Sequence, residues 1–139
     1  MYAEQKHLKG GFSLIEILIV LGIIGLIMAG VVPYVTSKMR QAKVEQARTD
    51  ITKIASEIEL YRLHTGEYPT RLMDLVKQPQ GTEGRWNGPY VPGNKEPQDP
   101  WGRKYIYRVT PGAEREYELS SYGAKGKGAP KSEWILYRD

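Results

Sequence analysis

The stretch FSLIEILIVLGIIGLIMAGVVPYV, residues 12–35, is apolar at almost every position and carries one charged side chain, Glu16. From Ile17 to Val32 nothing is charged. With Phe12–Ile15 in front, the run approaches the ~20 residues a helix needs to cross the hydrocarbon of a bilayer. A chain that spends so much of its apolar inventory on one segment has little left for an interior elsewhere. Of the 139 residues 40% are hydrophobic and 26% charged, a globular composition. The part beyond residue 35 therefore reads as a polar, Gly- and Pro-containing domain with a small core. Ahead of the run stands MYAEQKHLKGG, residues 1–11, whose Lys6 and Lys9 predict a cytoplasmic N-terminus and a translocated C-terminal part.

Three readings of the apolar run compete. A secretory signal peptide would end in a small-residue cleavage site, whereas this core continues through Ala29-Gly30-Val31-Val32-Pro33 into a charged helical pattern. A plain transmembrane anchor fits the length but not Glu16, because a carboxylate in hydrocarbon costs on the order of 3 kcal/mol or more. A cut between Gly11 and Phe12 gives Phe12 a charged amine one helical turn from Glu16, and in a low-dielectric setting the two charges can neutralise each other. A carboxylate that only snorkels to the headgroups is the simpler account of Glu16.

Helical patterning continues beyond the run. Thr36 to His64 holds no Gly or Pro, and Ala47, Ile51, Ile54, Ala55, Ile58 and Tyr61 recur at three- and four-residue steps. That is an amphipathic stripe. The first half of the helix is predicted to bury all round, in lipid or among neighbouring subunits, and the second half (36–65) to lay one face on a domain. Gly22, Gly25, Gly30 and Pro33 are candidate helix breaks, since Gly and Pro both disfavour a helix interior. Small residues of this kind also help membrane helices pack. Gly66 marks the helix end, and His64 in the last turn reads as a helix-end residue without a partner.

Downstream, Thr70 is placed as N-cap of a short helix at 71–77, followed by a Pro/Gly-rich loop at 78–103 pinned by Trp86, Tyr90 and Val91. In the loop's last turn Asp99 caps through its side chain, Pro100 fixes φ, Trp101 anchors and Gly102 permits the bend. The segment 104–139 carries three strand candidates, Lys104–Val109, Tyr117–Tyr122 and Glu133–Tyr137, and predicts a three-stranded antiparallel sheet on the second half of the long helix. With no Cys, a disulfide framework, a thiolate zinc site and a cysteine nucleophile are excluded. The net charge of +4 comes without basic runs interleaved with aromatics, so no nucleic-acid partner is expected. No carboxylate pair sits in a recognisable catalytic motif, and the chain is not expected to be an enzyme.

KGGFSLIEILIVLGIIGLI resembles the leader and first helix of type IV pilins and of the pseudopilins of type II secretion. HTGEYPT, the short helix with Leu72 and Leu75, and above all DPWGRKYIY resemble the major pseudopilin family within that superfamily. The resemblance implies an α+β, pilin-like fold. It implies a leader, residues 1–11, cut by prepilin peptidase between Gly11 and Phe12, and N-methylation of Phe12. It also implies that Glu16 meets the Phe12 amine of a neighbouring subunit during assembly, and that the helix melts around Gly22, Gly25, Gly30 and Pro33 in the filament. The chain would sit in the bacterial inner membrane by one span, with its C-terminal domain in the periplasm, and then enter a periplasmic pseudopilus that helps export folded proteins. Its partners would be itself, minor pseudopilins, the peptidase, the inner-membrane assembly platform and membrane lipid. A type IV pilus subunit is the alternative, although such pilins usually close their C-terminal region with a disulfide that this chain cannot form.

One part of the resemblance breaks. The family's loop after the second strand binds calcium through acidic residues, and calcium needs several oxygen ligands. Here the loop reads SSYGAKGKGAPKSEW, with Lys125 in place of an acidic residue and Glu133 as its remaining carboxylate. No metal and no cofactor are expected. A Lys125 ammonium standing in for the cation, donating to loop carbonyls, is one expectation; a plain flexible loop is the other.

Overall fold

The computed structural model describes residues 10–114 and 116–137. Most of the expected leader, residues 1–9, lies outside the described residues. The chain divides between Lys38 and Met39 into two compact units, a few residues beyond the expected 35/36 boundary.

Helix α1, Leu14–Thr65, runs 52 residues without interruption and has Pro33 inside it. In the first unit no side chain from Leu14 to Lys38 is buried, and this part of α1 is long and apolar enough to cross a membrane. In the single chain α1 is continuous through Gly22, Gly25, Gly30 and Pro33; the melting expected there belongs to the filament. Pro33 removes one donor, and its penalty of ~3 kcal/mol is local, carried by the intact turns on either side. The hydroxyls just beyond it turn back to the helix: Thr36 Oγ1 donates to the carbonyls of Val32 (3.1 Å) and Pro33 (3.0 Å), and Ser37 Oγ to that of Tyr34 (2.8 Å).

In the second unit the stripe of α1 becomes the core. Ala47, Ile51, Ile54, Ala55, Ile58 and Tyr61 are buried and pack with Leu72, Leu75, Tyr90, Tyr105, Tyr117, Leu119 and Ile135. The sheet is three-stranded and antiparallel, in the order β1 (Ile106–Val109), β2 (Tyr117–Ser121), β3 (Ile135–Leu136). Tyr107 faces Leu119 and Val109 faces Tyr117 across β1–β2, while Ser121 faces Ile135 across β2–β3. So one face of α1 packs on a narrow sheet, with Tyr61, Tyr90, Tyr105 and Tyr117 among the buried side chains, and each aromatic ring buries a large area.

Three local expectations are corrected. The short helix at 71–77 is a four-residue 3-10 turn, Leu72–Leu75. Its N-cap is Arg71 rather than Thr70, and the Asp74 carboxylate reaches back to accept the N–H groups of Thr70 and Arg71, both at 3.1 Å, and Arg71 Nε at 3.0 Å. Pro79, which holds its predecessor extended, bars continuation. The first strand begins at Ile106 rather than Lys104, because Lys104 forms an isolated bridge with Gln98 across the preceding turn. The third strand is cut to two residues by a 3-10 turn at Lys131–Glu133.

The long loop is fastened where expected. Trp86 Nε1 donates to the Asp74 carbonyl (3.0 Å), and the Tyr90 and Val91 N–H groups donate to that of Leu75 (2.8 and 3.2 Å). Arg85 adds a bond to the Thr65 carbonyl at the end of α1 (2.7 Å).

Candidate assembly and loop sites

At the start of α1 the sequence Ser13-Leu14-Ile15-Glu16 forms a capping box. Ser13 Oγ accepts the Ile15 N–H (3.3 Å), and Glu16 Oε2 accepts the Ser13 N–H (3.3 Å). Two donors that a helix start leaves unpaired are thereby satisfied. Glu16 thus has a role within its own chain that the charge argument did not supply, although the Ser-x-x-Glu signal stood in the sequence. The carboxylate also lies in the first turn, where it favours the helix dipole. Phe12 is 82% exposed. In the uncut chain its nitrogen is an amide, so the proposed partner charge of Glu16 is created only by cleavage after Gly11.

His64 is not without a partner. Its Nδ1 lies 3.0 Å from the Tyr90 hydroxyl, which also accepts the Asn87 N–H at 3.0 Å. This contact fastens the long loop to the last turn of α1.

The second site gathers around the DPWG turn. Asp99 is 4% exposed. Its Oδ1 accepts the N–H groups of Trp101 (3.0 Å) and Arg103 (2.9 Å), as the expected side-chain cap requires. The turn closes by Asp99 N–H to the Arg103 carbonyl (2.7 Å) and Gly102 N–H to the Asp99 carbonyl (2.8 Å). Gly102 has φ +78°, a conformation that L side chains rarely adopt. Trp101 packs half-buried against the core. The other carboxylate oxygen of Asp99 accepts the hydroxyl of the fully buried Ser121 (2.6 Å), and that hydroxyl accepts the Gly123 N–H (3.1 Å). The turn is thereby tied to the end of β2 and to the loop beyond it.

Lys125 does not play the part expected of it. Its ammonium is turned outward and pairs with Glu133 Oε1 at 2.8 Å. The cation that reaches the loop carbonyls is Arg103, whose Nη2 donates to the carbonyl of Gly123 and lies 3.4 Å from that of Ala124. Among the described residues no group of three or more acidic or His side chains converges. The donor set does not fit calcium: the loop carbonyls face a guanidinium, Asp99 already accepts three protein donors, and Glu133 is engaged by Lys125.

Burial raises the phenol pKa of four core tyrosines, Tyr61, Tyr68, Tyr105 and Tyr107. For Tyr68, burial with the carboxylates of Glu116 and Glu59 alongside pushes it up to about 12.

Set against known proteins, residues 34–134 match the family model described as type II secretion system (T2SS), protein G. Residues 6–32 match the prokaryotic N-terminal methylation motif. The type II secretion system core protein G of Pseudomonas aeruginosa is 42% identical over 129 residues, covering 88% of this chain and 89% of the relative. That of Xanthomonas campestris pv. campestris is 40% identical over 119 residues, covering 86% and 81%. That of Escherichia coli K12 is 34% identical over 138 residues, covering 91% and 88%. In three dimensions the chain is similar to the crystal structure of the major pseudopilin from the type 2 secretion system of enterohaemorrhagic Escherichia coli. The TM-score is 0.56 at 24% identity, over 72% of this chain and 86% of the other. The shared architecture is the pilin-like α+β fold, a long N-terminal helix on a three-stranded antiparallel sheet.

Proposed function

The chain belongs to the type II secretion system protein G family, and from that premise we infer that it is a structural subunit that polymerises into a periplasmic pseudopilus and so helps export folded proteins. The observation that carries this reading is the division of α1. One half holds a domain core together, while the other exposes apolar side chains on every face. Such a surface requires lipid or other copies of the same helix around it. The matches to protein G relatives do not favour the type IV pilus alternative.

Before assembly the subunit is a single-span inner-membrane protein with its C-terminal domain in the periplasm. Prepilin peptidase cuts between Gly11 and Phe12, and Phe12 is N-methylated; the methylation-motif match over residues 6–32 supports both steps. The new Phe12 amine and the Glu16 carboxylate then form a charge pair, made between neighbouring subunits as the filament grows. Around Gly22, Gly25, Gly30 and Pro33 the helix is the cheapest part of α1 to unwind on entering the filament. Minor pseudopilins, the assembly platform and membrane lipid complete the set of partners. The role is structural, and no catalytic step and no nucleic acid enter it.

Intact mass of the chain extracted from membranes tests the processing. The expected result is loss of residues 1–11 and gain of one methyl group. An uncut chain sinks the reading, and deletion of the gene with secretion intact sinks the function.

A further inference from the structure

We propose that Arg103 is a built-in cation for the loop at 123–126, closing it in this chain without a metal ion. Two carbonyls at the start of that loop, Gly123 and Ala124, turn toward the Arg103 guanidinium. Each of these carbonyls accepts a donor, and a charged donor is bound more strongly than a neutral one. A guanidinium is such a donor: it is planar, permanently charged and carries five donors in a fixed fork.

A second, independent observation shows that the loop is shaped around this side chain. Gly126 is buried with φ +77°, and a Cβ built on it would fall on the guanidinium of Arg103. Glycine at this position permits both the positive φ and the close approach of the backbone to the end of the Arg103 side chain. From the other side the position of Arg103 is fixed by its own backbone. Its N–H is held by Asp99 Oδ1 and its carbonyl by the Asp99 N–H. Its Nε, 3.9 Å from Asp99 Oδ2, is buried without a hydrogen-bond partner. Ser121, bonded both to Asp99 and to the Gly123 N–H, secures the loop entrance. Turn, strand end and loop therefore close on one cation that belongs to the chain.

The charge balance argues the same way. Lys125 belongs to the loop and Lys127 and Lys131 follow it in sequence, while the Arg103 guanidinium sits at its carbonyls. A divalent ion entering would meet a fixed positive charge at hydrogen-bonding distance from the same carbonyls, with Asp99 already holding three protein donors. Calcium would have to expel the guanidinium to gain its oxygen ligands. Lys125, with its ammonium outside on Glu133, cannot perform the same task.

The test uses the full-length chain in detergent micelles, followed by Tm and by tryptic cleavage after Lys125 and Lys127. For the unaltered chain, calcium and chelator should give the same Tm and the same cleavage rate. Arg103→Gln should be cut in the loop roughly tenfold faster, because proteolysis follows the population of the opened segment, and calcium should not restore protection. Arg103→Lys, which keeps the charge but not the fork, should fall between. If Arg103→Gln does not fold, the intermediate rate of Arg103→Lys carries the test. A calcium-dependent Tm or cleavage rate in the unaltered chain overturns the proposal. So does loop cleavage at the unaltered rate in both variants. Neither readout depends on secretion, so failure here is distinct from failure of the pseudopilus reading.

Discussion

At the scale of single residues, Glu16 does two jobs that ordinary substitutions confound. It caps its own helix through the Ser13 N–H, and it is the charge proposed to meet the amine created at Phe12. Glu16→Gln separates them: the amide oxygen still accepts the Ser13 N–H, but the charge is gone. Glu16→Val loses both, at a capping cost of about 1 kcal/mol. If the charge drives assembly, both variants insert into the membrane normally, and both lose most filament formation in a pull-out or cross-linking assay. If Glu16→Gln assembles like the unaltered chain, the cap is the whole of its role. The capping box was legible, because Ser-x-x-Glu ahead of an apolar run is a local signal that needs no tertiary knowledge. The His64–Tyr90 contact was not, because its members are far apart in sequence and meet only when the long loop folds back. Lys125 misled for a related reason: it stands where the resembled family has an acidic residue, while the cation that reaches the Gly123 carbonyl comes from twenty residues upstream.

At the scale of elements, the stripe on α1 was fully legible. Ala47, Ile51, Ile54, Ala55, Ile58 and Tyr61 were read from spacing alone, and all are buried. Periodicity reports which face is covered but says nothing of what covers it, so the same reasoning could not foresee that Leu72, Leu75 and Tyr90 complete the packing. Ile58 on that face is fully buried. Ile58→Ala should cost ~2–5 kcal/mol and lower the domain Tm by roughly 10 °C or more. Leu26→Ala, in the exposed apolar half, should leave that Tm unchanged; the pair of melting curves checks both. The short element at 72–75 was placed correctly but typed as an α-helix. Its local composition permits either form, and the decision falls to Asp74, which gathers three donors into one tight turn. In the same way the strand ends were overrun because alternation continues in sequence past the point where hydrogen-bond partners stop.

For the whole molecule, strand number and antiparallel order were read from three closely spaced strand candidates, while the tyrosine-rich packing sets how the domain answers to pH. The tyrosines of an unfolded chain ionise near about pH 10; Tyr61, Tyr68, Tyr105 and Tyr107 ionise later when folded. Above the unfolded value the unfolded state holds fewer protons than the folded one, so stability falls as pH rises. Tm should therefore be insensitive to tyrosine titration below about pH 10 and decline beyond it, with phenolate absorbance from these residues appearing together with unfolding. Phenolate signal developing fully before any loss of structure would contradict this. The exposed apolar half of α1 has a consequence of another kind. Moving it from lipid to a bundle of like helices exchanges one oily solvent for another, so water is displaced in neither state and the hydrophobic effect gives the exchange no direction. Growth and withdrawal of a polymer built on such a segment sit near balance, and small, local terms decide which way a subunit travels: a charge neutralised, a turn unwound, a close contact between backbones.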